Sequence, residues 1–291
     1  MLMELQAPAK INLTLRVQGK RLDGYHTIES VMQTLTLSDS LTFESAAEGI
    51  FFSCSESDLE GEDNLVMQAA RLLQARSAVP RGARIHLEKR IPLQAGLGGG
   101  SSDAATTLTA LNEMWDLHLP LEDLSTLAAE LGSDVAFFLN APSAIAHGRG
   151  DIVTPIAHQV QAFVLIAKPV AGLATREVYA RLQAMPQLQD DDFYFHCAAQ
   201  AMARALQSGD VGAIARAMVN DLERPAYSLM PDLVRLRERM RQQGCLGVLL
   251  CGSGSALVGI CADEETAKAA AIELLNECPW TWAGPWAMAR A

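Results

Sequence analysis

A chain of 291 residues is long enough for two cores, and 49% hydrophobic with 20% charged residues is an ordinary globular mixture. The net charge of −11 argues against nucleic acid and anionic membrane surfaces as partners, since both are polyanions, and obliges an anionic substrate to find a local positive site. No apolar run approaches membrane-spanning length, no basic segment followed by an apolar stretch opens the chain, and the six cysteines form no C-x-x-C pair, so reduced thiols in a cytoplasmic protein are expected.

Residues 5–17 alternate Ile11, Leu13, Leu15 and Val17 with polar neighbours, the pattern of a half-buried strand. Lys10 and Asn12 share the opposite face, and the small residues of Ala7-Pro8-Ala9 leave room around the lysine amine; the plain alternative is a solvated edge lysine. Asp23-Gly24 marks a turn over 19–26. Tyr25 and His26 at its end suit stacking on, and hydrogen bonding to, a planar ring, or else are a packed tyrosine and a surface histidine. Residues 27–43 predict a long bent strand or a strand pair broken near Ser38-Asp39-Ser40, and 50–55 a short strand. A helix follows to about residue 75, with Asn64 as its cap or as a ligand contact.

The strand predicted over 83–91 runs into Pro92-Leu93-Gln94-Ala95-Gly96-Leu97-Gly98-Gly99-Gly100-Ser101-Ser102-Asp103, and a helix is predicted over 104–115. Glycines present no side chain to an approaching ligand and tolerate the backbone angles at which successive N–H groups converge. A helix start adds unsatisfied N–H donors and the positive end of the dipole, which together make a phosphate site. A Gly/Ser linker is the alternative, but both flanks are patterned and apolar. No lysine follows the last glycine, so this is not the P-loop, and the glycine spacing is not that of the dinucleotide fingerprint.

A helix is expected over 119–131, then Gly132-Ser133-Asp134, where a lone acid enters an apolar run either as a cap or as a partly desolvated carboxylate placed as a catalytic base. A hairpin over 143–156 closes the first half. The second half begins near Gln161 with a buried strand at 163–167, a helix capped by Thr175 and carrying Tyr179, and an exposed loop over 185–192. Helices at 198–207, 211–218 and 231–243, strands at 248–251 and 256–261 around the turn Gly252-Ser253-Gly254-Ser255, a helix at 264–276 and a last strand with Trp280, Trp282 and Trp286 complete it.

With these motifs in order, the sequence resembles the GHMP kinase superfamily along nearly its whole length. The likeness rests on Ala7-Pro8-Ala9-Lys10-Ile11-Asn12-Leu13, Asp23-Gly24-Tyr25-His26, Met32-Gln33, the stretch from Pro92 to Ala105, and Gly252-Ser253-Gly254-Ser255. Gln94-Ala95 stands where the family's loop usually starts with more glycine, and Cys251 where Thr or Ser usually precedes the last motif.

The resemblance implies an α+β fold of two domains. A ribosomal-S5-like N-terminal ATP-binding domain over 1–158, with a left-handed βαβ crossover, would meet a ferredoxin-like α/β sandwich over 159–291, the active site lying in the cleft between them. It implies ATP-dependent phosphorylation of the 2-hydroxyl of a cytidyl-diphosphate-linked methylerythritol, giving ADP, in the non-mevalonate route to isoprenoids. Lys10 and Asp134 would be the catalytic pair. Pro92, Leu93, Gln94, Ala95, Gly96, Leu97, Gly98, Gly99, Gly100, Ser101 and Ser102 would wrap ATP, with Asn64 and Lys89 near its adenosine. Ser101 or Ser102 would touch Mg2+, with no protein cage for the metal. Asn12, His26 and Thr175 would contact the substrate, and Tyr25 and Tyr179 would sandwich its cytosine. A monomer or homodimer is expected. The alternatives are another GHMP alcohol kinase, of mevalonate or homoserine type, and a nucleotide-binding regulator without turnover. Two aromatic walls favour a nucleobase substrate, and a Lys–Asp pair favours turnover over binding alone.

Overall fold

The computed structural model describes residues 1–77, 81–140, 142–186 and 192–288. The first half runs β1 (Leu2–Lys20), β2 (His26–Ala46), β3 (Ile50–Cys54), α1 (Leu65–Ser77), β4 (Gly82–Glu88), α2 (Gly99–Met114), α3 (Leu121–Leu131), α4 (Val135–Leu139), β5 (Ser143–His147) and β6 (Ile152–Pro155). The second runs β7 (Phe163–Lys168), α5 (Thr175–Ala184), α6 (Asp192–Ser208), α7 (Val211–Ala217), β8 (Val219–Asn220), α8 (Glu223–Leu229), α9 (Asp232–Gln242), β9 (Gly247–Leu250), β10 (Leu257–Cys261), α10 (Glu264–Leu274) and β11 (Trp280–Pro285). No helix among the described residues is long and apolar enough to cross a membrane.

The first sheet has the order β3-β4-β2-β1-β8, with the β5–β6 hairpin attached to β2. The second is antiparallel, in the order β11-β7-β10-β9, with helices α9 and α10 packed on it. One apolar core joins the two sheets: Ile11, Leu13, Val31 and Leu35 of the first pack with Val164, Ile166, Leu249 and Val258 of the second. Trp286 seals that seam, bridging to Leu35 and donating its indole N–H to Val160 O at 2.9 Å. This shared core fixes the spacing of the two sheets and therefore of the surfaces between them.

Several elements depart from the sequence pattern. β1 is not half-buried in its middle: Lys10, Asn12 and Thr14 are as enclosed as the apolar residues that alternate with them. β2 is a single strand with no break at Asp39. Instead the pairing slips, Pro8 facing Ser38 and Lys10 facing Thr34, and this irregularity supplies the bend. Helix α2 starts at Gly99 instead of residue 104, so Ser102 and Asp103 lie within its first turns and are buried. Helix α6 likewise begins at Asp192, before residue 198. Most of the loop expected over 185–192 lies outside the described residues. Helix α8 has no counterpart in the sequence reading; Pro225 sits in its first turn, where a missing N–H is no loss.

Beneath the glycine loop, Asp39, Lys89 and Asp103 form a buried cluster. Lys89 Nζ lies 2.5 Å from Asp39 Oδ2 and 2.9 Å from Asp103 Oδ2. The other oxygen of Asp39 accepts from the backbone N–H groups of Arg90 and Ile91. Asp39 therefore ties the middle of β2 to the strand end that feeds the loop. Burial, opposed by the Lys89 ammonium and reinforced by Asp39, pushes the Asp103 carboxyl up to about 7.

Lys89→Met should leave two buried carboxylates without a counter-ion and cost about 3–5 kcal/mol of stability. Chemical denaturation reads this directly, and a loss under about 1 kcal/mol would show that the cluster does not hold the loop. Because the folded state binds the Asp103 proton more tightly than an unfolded chain with a pKa of about 3.9, the stability this group contributes is full below about pH 4 and is lost as pH rises toward 7. Asp103→Asn should flatten the unfolding free energy over that interval; a slope equal to that of the wild type would exclude Asp103 as the titrating group.

Candidate active site

The middle of β1 carries the reactive groups. The Lys10 backbone N–H donates to Leu97 O at 2.9 Å, so the glycine loop is tied to the strand at that residue. Lys10 Nζ donates to Asn12 Oδ1 at 2.8 Å and lies 3.2 Å from Asp134 Oδ2. Asn12 is itself oriented: its Nδ2 donates to Ser30 Oγ at 2.7 Å, and that hydroxyl donates to Thr14 O at 2.6 Å. Asp134 stands just before α4 but makes no capping bond, so its carboxylate is committed to Lys10. The lysine side chain is 4% exposed and the aspartate 31%, leaving the carboxylate the more open of the two to an incoming hydroxyl.

The glycines are dictated by close approach. Gly96 has φ +77, and a Cβ there would fall 1.8 Å from Cys251 O; Gly98 has φ +71, and its Cβ would fall 2.9 Å from Lys10 Cγ. Gly98 caps α2, and Gly96, Gly98 and Ser101 line one cleft of about 890 Å³. The first turn of α2, with its unsatisfied N–H groups, begins at that wall. The rest of the loop serves the fold: Ala95 and Leu97 are buried in the core, Leu93 is half exposed, and Gln94 packs against Gly172.

Across the cleft lies the turn after β9. Gly252 sits where a Cβ would be 3.5 Å from Lys10 Nζ, and Ser253 Oγ is 2.8 Å from Thr175 Oγ1. Thr175 therefore pairs with Ser253 and does not cap α5, which has Ala174 at its cap position. At the far end are Tyr25, His26 and Tyr179. The imidazole of His26 lies 4.9 Å from the Tyr179 ring, tilted by 31°, while Tyr25 is 52% exposed and has the Arg149 guanidinium 5.4 Å above its ring. The ring facing Tyr179 is thus His26 in place of Tyr25. Burial, with a smaller push from Lys20, holds His26 below the usual histidine range, and burial with Asp134 and Asp221 nearby raises the Tyr179 phenol.

Ten of the expected residues do not line the cleft: Pro92, Leu93, Gln94, Ala95, Leu97, Gly99, Gly100 and Ser102 of the loop, together with Asn64 and Lys89. Lys89 is committed to the buried cluster. Asn64 caps α1, accepting from Val66 N and donating to Leu59 O. Ser102 is fully buried, its Oγ without a partner, so of the two serines Ser101 is the one at the cleft. Sequence reasoning missed Arg149 and Gln183, and named Ser253 as part of a motif without a role. Gln183 reaches His26 Nε2 at 2.9 Å. An arginine between two glycines at a hairpin tip was the available signal for Arg149; Gln183 had none, being one more polar residue on an amphipathic helix.

Known proteins resemble this chain. The models for the GHMP kinases N terminal domain and the GHMP kinases C terminal region match residues 64–141 and 202–279. The 4-diphosphocytidyl-2-C-methyl-D-erythritol kinase of Pelotomaculum thermopropionicum is 43% identical over 264 residues, 90% of each chain. That of Shouchella clausii is 41% identical over 89% of this chain and 86% of its own. A crystal structure of 4-(cytidine 5'-diphospho)-2C-methyl-D-erythritol kinase superposes with a TM-score of 0.82 at 37% identity, covering 99% of this chain and 100% of the other. Homoserine kinase from Cytophaga hutchinsonii shares the fold alone, with a TM-score of 0.78 at 16% identity, over 99% of this chain and 95% of that one. Identity of this level along the whole length, together with both domain matches, places the chain in the 4-diphosphocytidyl-2-C-methyl-D-erythritol kinase family of the GHMP kinases.

Proposed function

We propose that the chain transfers the γ-phosphoryl group of ATP to the 2-hydroxyl of 4-diphosphocytidyl-2-C-methyl-D-erythritol, releasing ADP, in the non-mevalonate route to isoprenoids. The observation that carries this reading is the Lys10–Asp134 pair lining one cleft together with Gly96, Gly98 and Ser101 and with Tyr25, His26 and Tyr179. The phosphates lie along Gly96, Gly98 and Ser101, where backbone N–H groups and Lys10 meet their charge in a protein that is acidic overall. The cytosine lies among Tyr25, His26 and Tyr179. With Gln183 at its Nε2, a neutral His26 keeps Nδ1 for a hydrogen bond to a cytosine edge. That end is what distinguishes this substrate from mevalonate or homoserine, which have no base to stack.

Asp134 accepts the hydroxyl hydrogen and aligns the oxygen for in-line attack. Lys10 pairs with the Asp134 carboxylate and offsets charge on the transferring group. Asn12 holds the ammonium in place. Mg2+ bound with the triphosphate would supply charge neutralisation to the phosphates. The Ser101 hydroxyl at the cleft is the protein oxygen suited to touch it, a fit for an ion that keeps phosphate and water ligands. The domain division falls between residues 158 and 159, each part keeping its own sheet except that β8 crosses over to pair with β1.

Asp134→Asn should lower kcat by about a hundredfold or more while leaving ATP affinity near that of the wild type. Steady-state kinetics with both substrates tests this, and undiminished turnover would remove Asp134 from the reaction. Tyr179→Ala should raise KM for the cytidyl substrate by about tenfold with little change in KM for ATP; equal increases in both constants would place Tyr179 outside the base site.

A further inference from the structure

The turn formed by residues 251–254 approaches the phosphate end closely. A Cβ on Gly252 would stand 3.3 Å from Gly96 O, 3.5 Å from Lys10 Nζ and 3.6 Å from Asn12 Oδ1. Its direct bonds to the glycine loop are long, Ser255 N to Gln94 O and Ala256 N to Ala95 O both at 3.3 Å. Besides the Thr175 contact to Ser253, the turn's backbone is held from behind by a side chain. Asn220 Nδ2 donates to Leu250 O at 2.9 Å and to Gly252 O at 2.8 Å, and its Oδ1 accepts from Leu222 N at 2.9 Å. Both amide hydrogens are used, and the residue is 5% exposed.

Asn220 is also anchored on the strand that carries the reactive lysine. It lies in β8, paired parallel to β1 opposite Leu15. The next residue reinforces the pairing: Asp221 N donates to Leu15 O at 2.9 Å, and the Asp221 carboxylate accepts from Val17 N at 2.8 Å and lies 3.2 Å from Arg16. A continuous strut therefore runs from β1 through Asn220 to the carbonyls of residues 250 and 252.

We infer that Asn220 is a positioning residue for phosphoryl transfer, setting the gap between the Gly252 turn and Lys10 without touching either substrate. The inference rests on the kinase reading of this cleft. A planar amide is the side chain that offers two donors and one acceptor at this reach. An isosteric carboxylate offers no donor when ionised and repels both carbonyls. A turn released from Asn220 would be free to shift against Lys10, whose Nζ lies 3.5 Å from where a Cβ of Gly252 would stand, and so to disturb its pairing with Asp134.

The test compares Asn220→Asp and Asn220→Ser with the wild type, measuring kcat, KM for ATP, KM for the cytidyl substrate and thermal stability. At about pH 8 both variants should lose at least about tenfold in kcat and show a raised KM for ATP, with KM for the cytidyl substrate within about twofold. Near pH 6 the buried carboxyl of Asn220→Asp takes up a proton, donates to one carbonyl and recovers about threefold or more in kcat relative to wild type, while Asn220→Ser shows a constant ratio. Folded variants with kcat and KM for ATP within about twofold of wild type, or equal changes in every constant, would overturn the inference. If Asn220→Asp does not fold, the split between the two KM values in Asn220→Ser decides alone. Wild-type turnover with unaffected variants sinks only the role of Asn220; a folded wild type without turnover sinks the kinase reading and the inference with it.

Discussion

An almost fully buried ammonium organises this molecule. Lys10 extends from the middle of the longest paired strands into a space closed by Gly98 on one side and Gly252 on the other, and both positions are open only because neither residue has a side chain. A buried cation is stable only when it is paired and hydrogen-bonded. Asp134 supplies the charge and Asn12 the hydrogen bond. The same two partners are what a phosphoryl transfer needs beside the lysine: a carboxylate to receive the acceptor hydroxyl, and a fixed direction for the positive charge.

The elements around Lys10 are arranged to keep its surroundings rigid. The glycine loop is tied to the lysine backbone, supported from below by Asp39, Lys89 and Asp103, and continued into α2. The facing turn is braced by Asn220. The core between the two sheets fixes the separation of these two supports. Catalysis by preorganised charge depends on such rigidity, because donors aimed in advance need no reorganisation when charge develops.

The acidity of the chain shapes how the cleft works. With a net charge of −11, positive potential has to be local: helix N–H groups and Lys10 supply it at the glycine wall, and Lys20, Arg149 and Arg176 also line the cleft. Lys89 contributes no net charge to that end, since two carboxylates surround it. The aromatic end, where the Arg149 guanidinium stands over Tyr25, suits a group held by stacking and hydrogen bonds. A substrate with a nucleobase at one extremity and a hydroxyl several bonds away matches a cleft whose two ends differ in this way.

Local sequence determined the glycine loop and its anion-binding chemistry, the strand bearing Lys10 and Asn12, the turn with Tyr25 and His26, and the isolated acid at position 134, because each depends on residue types at short spacing. Short-range pattern also gave most of the helices and strands. What it did not hold was the burial of polar groups. Lys89, exposed by composition, became the centre of an internal cluster because Asp39 and Asp103, 50 and 14 residues away, meet it there. Helix α2 began five residues early, its cap Gly98 packed against Lys10 and its first residue Gly99 against Ile91 and Lys89, so weak helix propensity was overruled by packing. His26 and not Tyr25 came to face Tyr179, and Asn220 came to brace a turn 30 residues on, because both outcomes rest on how two sheets share one core, a relation no local window contains.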